Sequence, residues 1–332
     1  MDAHAVVFTA PNTVEYQPVT CPDPGPSHIV VRLTHSWISN GTEGSFLRGE
    51  RIEGDTAYRP NDPWPFPIVA GYQRIGVVEW VGEQIEDIEV GDTVFSTQGL
   101  VNGMYKERGG QISPSVSGRD GVWKLPQGVD PLAFAGLVLT QVGYNCSARP
   151  SLQPGDPAVV IGDGLVGQWA AQTLHWRGAE VALVGRHPDR LAYFGQRPGR
   201  HLIDASQQDW GQAVRALFPN GTQVLVDTVG SVPVLEQSID LMRREGHLVS
   251  AGFYGTKDEM PLQPPRYKEL TIDLVSGWTK DRMDRTLALI AAGYLETLPL
   301  ITHHFPVAQA AAAWDLIETK REPVLGVILD WS

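Results

Sequence analysis

An apolar run, Ala158-Val159-Val160-Ile161, leads directly into Gly162-Asp163-Gly164-Leu165-Val166-Gly167, and a stretch of helical period follows to Trp176. A G-x-G-x-x-G pattern is common by itself; between a strand and a helix it acquires a mechanism. Gly162 permits the tight turn, Gly164 lets a pyrophosphate approach the backbone, and Gly167 lets the helix pack closely. The helix opens at Leu165 and Val166, whose amides lie at the positive end of its dipole. The segment predicts a dinucleotide site on a strand-turn-helix unit; the competing reading is a glycine-rich turn that holds no ligand.

The surrounding chain supports such a unit. From about residue 130, strands at Ala158–Ile161, Val181–Val184, Val224–Val226, His247–Ala251 and Thr271–Val275 alternate with helical stretches at Val166–Trp176, from Pro188, and at Val234–Arg243. This alternation predicts a parallel sheet covered by helices. Helical stretches at Arg282–Ala292 and Ala308–Lys320 and a last strand, Val324–Leu329, follow. The first 125 residues are instead β-rich, with short runs such as Ala5–Phe8, Ile29–Leu33, Gly76–Val81 and Thr93–Phe95 between Pro, Gly and Asp clusters. The polar, proline-rich stretch from Arg48 to Pro67 reads as a surface loop, with Trp64 and Phe66 folding back over the body.

A carboxylate about 20 residues past the glycines, at the end of the second strand, ordinarily holds the ribose 2′-hydroxyl of NAD. Here Ala182-Leu183-Val184 runs into Gly185-Arg186-His187. Nothing acidic repels a 2′-phosphate, and Arg186, with His187 beside it, can grip one, so NADP is favoured over NAD. The alternative is a solvated Arg186 with NAD bound. Arg190 either assists or lies on the helix surface.

Composition narrows the partners. At 332 residues the chain has room for two domains. Its net charge of −12 disfavours nucleic acid and anionic membrane surfaces. No run reaches the roughly 18 apolar residues of a membrane helix, and the N-terminus lacks a leader pattern, so a cytoplasmic protein is expected. Two cysteines, Cys21 and Cys146, cannot form a disulfide framework or a four-cysteine zinc site.

Val90-Gly91-Asp92-Thr93-Val94, Leu152-Gln153-Pro154-Gly155-Asp156, Val226-Asp227-Thr228-Val229-Gly230 and the return through Leu300-Ile301-Thr302-His303 resemble the medium-chain dehydrogenase/reductase superfamily over essentially the whole chain. The resemblance implies an α/β architecture. A GroES-like β-rich catalytic domain would comprise 1–134 and 278–332, and a Rossmann doubly wound parallel-sheet domain 135–277, with the active site in the cleft where they meet. It implies Thr140, Gly252, Phe253 and Ser276 near the nicotinamide half, and a homodimer formed through edge strands, with Leu270–Val275 as the candidate edge. Within the superfamily, Ile38-Ser39-Asn40-Gly41-Thr42-Glu43, Val69-Ala70-Gly71-Tyr72, Ala251-Gly252-Phe253-Tyr254 and Ile328-Leu329-Asp330-Trp331 resemble most the 3-hydroxyethyl bacteriochlorophyllide a dehydrogenases, whose NAD-linked reaction oxidises a hydroxyethyl side chain to acetyl. Gly185-Arg186, Gln73 in place of Glu, and the 48–67 insertion depart from that group.

Metal-dependent members of the superfamily hold a catalytic zinc on a Cys, the His of a Gly-His-Glu triplet, and a further Cys, Asp or Glu. The matching segments here read Trp37–Glu43, Ala70-Gly71-Tyr72-Gln73 and Gly136-Leu137-Val138-Leu139, so the resemblance implies a zinc-free enzyme with no metal site. His303 and His304, adjacent on a β-like segment, point to opposite faces and do not share an ion. Without zinc, hydrogen-bond donors must stabilise the charge that hydride transfer builds on a carbonyl oxygen. Tyr72, in the place of the ligand His, is the first candidate for that role; alternatively it is an aromatic plug. Ser39 and Thr42 are secondary donors or backbone caps. Glu43 orients a donor, acts as a base, or is a helix-start carboxylate favoured by the dipole. His35 and His303 read as structural.

Trp37, Phe46, Trp64, Phe66, Phe253, Tyr254 and Trp278 can line a pocket for a bulky or planar carbonyl or alcohol substrate, or pack in the core. The expected activity is zinc-independent, NADP-preferring interconversion of a secondary alcohol and a ketone. The alternatives are an NADPH-dependent enone or quinone C=C reductase and a non-catalytic NADPH-binding sensor.

Overall fold

The computed structural model describes residues 1–54, 56–254 and 259–331. It divides into two compact units, Leu139–Glu296 and Met1–Val138 with Thr297–Ser332.

The central unit is built on a six-stranded parallel sheet in the order Arg200–Asp204, Glu180–Gly185, Pro157–Ile161, Thr222–Asp227, Met242–Ser250, Thr271–Leu274. Its inner strands are continuous apolar runs because both faces are covered. Val160, Leu183 and Val226 face one buried cluster, while Val159, Ala182 and Leu225 face the other. Ile161 stands opposite Val184 on one side and Asp227 on the other, so the loops that follow these strands emerge together at the carboxyl edge. The chain order reverses between Pro157–Ile161 and Thr222–Asp227, the position where open α/β sheets bind ligands.

The helix expected over Val234–Arg243 spans Val232–Leu241, and Met242 already opens the next strand. Arg243 is drawn out of the helix by Gln223 and Asp156, both of which accept from its guanidinium. The strand Arg200–Asp204 and the helix Trp210–Leu217 were not expected, although Asp209 caps the helix and its Trp210, Ala213, Val214 and Leu217 recur at helical spacing and pack in one cluster. The unit closes at Glu296 rather than near 277. The Glu296 carbonyl accepts from Trp169 Nε1 at 3.2 Å and from Gln172 Nε2 at 3.3 Å, and its amide donates to Gln172 Oε1 at 2.8 Å. Helix Lys280–Ala291, with Met283, Thr286 and Ile290 buried, therefore belongs with the parallel sheet.

The other unit joins the two ends of the chain. The last strand, Gly326–Asp330, lies antiparallel to His28–Trp37, with Ile328 opposite Trp37, and extends a nine-stranded sheet. A second, four-stranded sheet is built on Asp2–Ala10. Helix Ala310–Thr319 contributes Trp314, which packs edge-on against Phe8 at 5.3 Å. The 48–67 stretch is more ordered than a loop: Arg51–Glu53 pairs with Thr56–Ala57. Phe66 enters the core, whereas Trp64 stays 52% exposed between Tyr58 and Phe66.

Candidate active site

The glycine turn has the conformation a dinucleotide requires. Gly162 adopts φ +114°, and a Cβ there would stand 2.2 Å from Thr228 Oγ1. A Cβ on Gly167 would stand 1.9 Å from the Gly162 carbonyl oxygen, so the helix can approach the strand only without a side chain there. Gly164 differs. It precedes the helix Leu165–Trp176, and nothing lies within 4 Å of its Cβ position. This open glycine, followed by the first helical amides at Leu165 and Val166, forms a cradle that a pyrophosphate fits. A dinucleotide held there would supply or accept a hydride.

The second residue of the motif, Asp163, has a role that no spacing rule indicates. It is 5% exposed, and its carboxylate accepts from the Arg186 amide at 2.8 Å, the His187 amide at 2.9 Å and His187 Nδ1 at 2.9 Å. Arg190 brings its guanidinium within 3.6 Å of the same carboxylate. Gly185 is glycine for this reason, since a Cβ would meet Asp163 Oδ2 at 2.4 Å. His187 and Arg190 are thus turned inward onto Asp163. Arg186 is exposed, with no carboxylate partner among the described residues.

The remaining cofactor candidates lie along the same unit. Gly252 and Phe253 pack on the turn after Thr222–Asp227. A Cβ on Gly252 would stand 2.1 Å from Gly230 Cα, and one on Gly230 would meet the Phe253 amide at 2.7 Å. Ser276 is exposed just past Thr271–Leu274, and Thr140 is buried. Gln141, next to Thr140, donates to the Gly277 carbonyl at 3.3 Å, which ties these two segments together.

Asp227 organises the turn. It accepts from the amides of Val229 at 3.0 Å and Gly230 at 3.1 Å and from the Tyr254 hydroxyl. Burial and this adjacent carboxylate push the Tyr254 phenol up. The Val226–Gly230 motif marks the segment in the sequence but does not reveal the partnership with Tyr254.

The hydroxyl candidates assemble in the other unit. Ser39 precedes helix Asn40–Leu47 but does not cap it through its side chain. Glu43, in the first helical turn, takes the Ser39 amide instead, with Oε1 accepting at 2.8 Å. This leaves Ser39 Oγ to accept the Tyr72 hydroxyl at 2.6 Å. Thr42 also hydrogen-bonds the phenol. Tyr72 is half-buried, and desolvation raises it to about 12, so at neutral pH it is an intact hydroxyl. Glu43 is 2% exposed, and burial lifts its carboxyl to about 8.

Gln73, adjacent to Tyr72, is fully buried. The two histidines are engaged elsewhere: His35 Nε2 lies 3.6 Å from Asp330, and His303 Nε2 lies 3.7 Å from Glu322. Trp37 and Phe66 are core residues, and Phe46 lies beneath the Lys106 ammonium at 4.0 Å.

The donor set does not suit a zinc ion. Ser39 and Tyr72 offer hydroxyls, and Gly136–Leu139 offers no side-chain donor. Among the described residues no three His, Cys, Asp or Glu side chains gather closely enough to hold a metal.

A family model described as zinc-binding dehydrogenase matches residues 166–292. The 2-desacetyl-2-hydroxyethyl bacteriochlorophyllide A dehydrogenases of Rhodobacter capsulatus and Cereibacter sphaeroides are 25% and 26% identical, each alignment covering 100% of this chain and 99% of the relative. An oxidoreductase/dehydrogenase of unknown specificity from Escherichia coli superposes with a TM-score of 0.87 at 19% identity, covering 100% of both chains. With relatives aligned from end to end and the expected GroES-like plus Rossmann fold in place, the chain is similar to the medium-chain dehydrogenase/reductase superfamily, and its relatives support an oxidoreductase of that class.

Proposed function

We propose that the protein interconverts a secondary alcohol and a ketone, prefers NADP, and works without zinc. The observation that carries this reading is the Ser39–Tyr72 hydroxyl pair; the resemblance to the superfamily implies that these two stand where its metal-dependent members carry Cys and His. Tyr72 donates to Ser39 Oγ, so the Ser39 proton remains available for a substrate oxygen. In the reductive direction a hydride reaches the carbonyl carbon and the π pair moves onto oxygen. That oxygen takes the Ser39 proton, Ser39 takes that of Tyr72, and Tyr72, which is only partly buried, recovers one from water. Oxidation of the alcohol reverses each transfer.

Glu43 reaches Ser39 only through the backbone amide, which relays no proton to Oγ, so its part is to orient the pair rather than to act as a base. Exposed Arg186, with Asp163 already satisfied by neighbouring donors, supports NADP. The likeness to bacteriochlorophyllide dehydrogenases supports a hydroxyethyl or acetyl group on a bulky planar substrate.

The reading also includes a cytoplasmic homodimer through the edge strand Thr271–Leu274, where Leu274 is 78% exposed. Among the described residues no helix is long and apolar enough to cross a membrane. Product analysis with an aryl enone and NADPH tests the chemistry: an allylic alcohol supports carbonyl reduction, and a saturated ketone overturns it in favour of C=C reduction.

A further inference from the structure

Gln111 belongs to none of the motifs that carry the hydroxyl pair, yet its side chain has built contacts at both ends. It is fully buried. Its Oε1 accepts from the Ser36 hydroxyl, and Ser36 Oγ accepts from Trp331 Nε1 at 2.8 Å. The indole N–H donates to Ser36, whose own proton goes to Gln111 Oε1, and the Gln111 amide nitrogen faces the other way. There it donates to Glu43 Oε2 at 3.4 Å.

Two further features hold it in place. Arg74, also fully buried, donates to the carbonyls of Gly110 at 3.0 Å and Ile112 at 3.3 Å, clamping the backbone on either side of Gln111. Gly71, at φ +83°, gives the side chain room to pass, since a Cβ there would stand 2.7 Å from Gln111 Cγ. The residue before Tyr72 is thus shaped around Gln111.

We infer that Gln111 is a positioning residue: it holds the Glu43 carboxyl against the Ser39 amide and so sets the Ser39–Tyr72 pair in its donating arrangement. The inference rests on the hydroxyl-pair reading above. The groups around Glu43 are few. Tyr72 faces it and is itself faced by Arg51, while Arg48 is paired with Glu50 and Glu318. Burial raises the Glu43 carboxyl, and the bonds from Ser39 and Gln111 pull it back down. Loss of the Gln111 donor therefore raises it further.

Infrared titration of the full chain reads this directly. A protonated-carboxyl band present in wild type and missing from Glu43→Gln should disappear with a midpoint of about 8. Gln111→Met is expected to move that midpoint up by about one pH unit. Gln111→Glu keeps the volume and the Ser36 contact and moves it further, because two carboxyls then share the site. In turnover, kcat falls in Gln111→Met while the KM for NADPH holds. A midpoint unmoved in both variants overturns the inference, and Gln111→Glu decides alone if the Met variant fails to fold. The titration needs no substrate, so the two readings fail separately: full activity in Tyr72→Phe removes the hydroxyl pair, and an unmoved midpoint removes Gln111.

Discussion

Replacing Arg186 with Ala isolates the cofactor preference. The side chain is exposed at the end of Glu180–Gly185, and its backbone amide, not its guanidinium, is bound by Asp163. The substitution therefore leaves the turn intact. Charge-assisted hydrogen bonds are worth about 1.5–3 kcal/mol, and solvent screening at an exposed site selects the lower end. About 1.5 kcal/mol corresponds to a roughly tenfold weaker Kd for NADPH. NADH lacks the 2′-phosphate, so its affinity should not change.

Arg190→Ala serves as the contrast. That guanidinium is already directed at Asp163, with a side chain 16% exposed, so its loss should lower thermal stability more than it changes the NADPH-to-NADH ratio. Fluorescence titration of wild type and both variants with each cofactor gives the comparison. Wild type binding NADH as tightly as NADPH, or Arg186→Ala retaining full NADPH affinity, would refute the reasoning.

Four further outcomes are expected. Tyr72→Phe should lower turnover about 100-fold, the low end for a lost proton donor, while Tm and NADPH binding hold; unchanged turnover makes Tyr72 a space-filler. Glu43 in the folded protein titrates at about 8 against an ordinary 4.5, so the folded state retains a proton that the unfolded chain has released. Its contribution is complete below about 4.5 and is lost as pH rises to about 8, so the Tm of wild type should fall relative to Glu43→Gln across that window and run parallel above it. Gly164→Ala should weaken NADPH binding with little change in Tm, because its Cβ meets only open space, whereas Gly167→Ala should lose both. Dialysis against a strong chelator should leave activity unchanged, and elemental analysis showing about one zinc per chain would contradict the zinc-free reading.

The parallel-sheet unit was legible because its signals are local. A strand, a glycine turn and a helix occupy Pro157–Trp176; Gly162 and Gly167 answer clashes with the adjacent strand's turn and with each other, and Gly164 opens the space before the helix. In the other unit the longer strands, among them His28–Trp37 and Arg74–Val81, were also marked by their apolar or alternating runs, and the two-residue strands were not. Helix Asn40–Leu47 was marked only through Glu43 as a helix-start carboxylate, since Asn-Gly-Thr-Glu-Gly-Ser reads as a turn and two glycines weaken its intrinsic preference. What makes it a helix is placement: the Glu43 carboxyl takes up the Ser39 amide at its start, and the Arg48 side chain at its end reaches Glu318.

The residue types at the candidate site were therefore set by the sequence alone: a glycine cradle, an arginine where NAD enzymes carry a carboxylate, and hydroxyls where zinc ligands are expected. Their arrangement was decided by tertiary structure. Asp163 organises Arg186 and His187 across more than twenty residues, Gln111 meets Glu43 across 68, and Trp331 meets Ser36 across 295. Hydrogen bonds of that reach leave no periodicity or spacing in the chain, because the partners are brought together only when strands distant in sequence pair, as Pro157–Ile161 does with Glu180–Gly185 and Gly326–Asp330 with His28–Trp37.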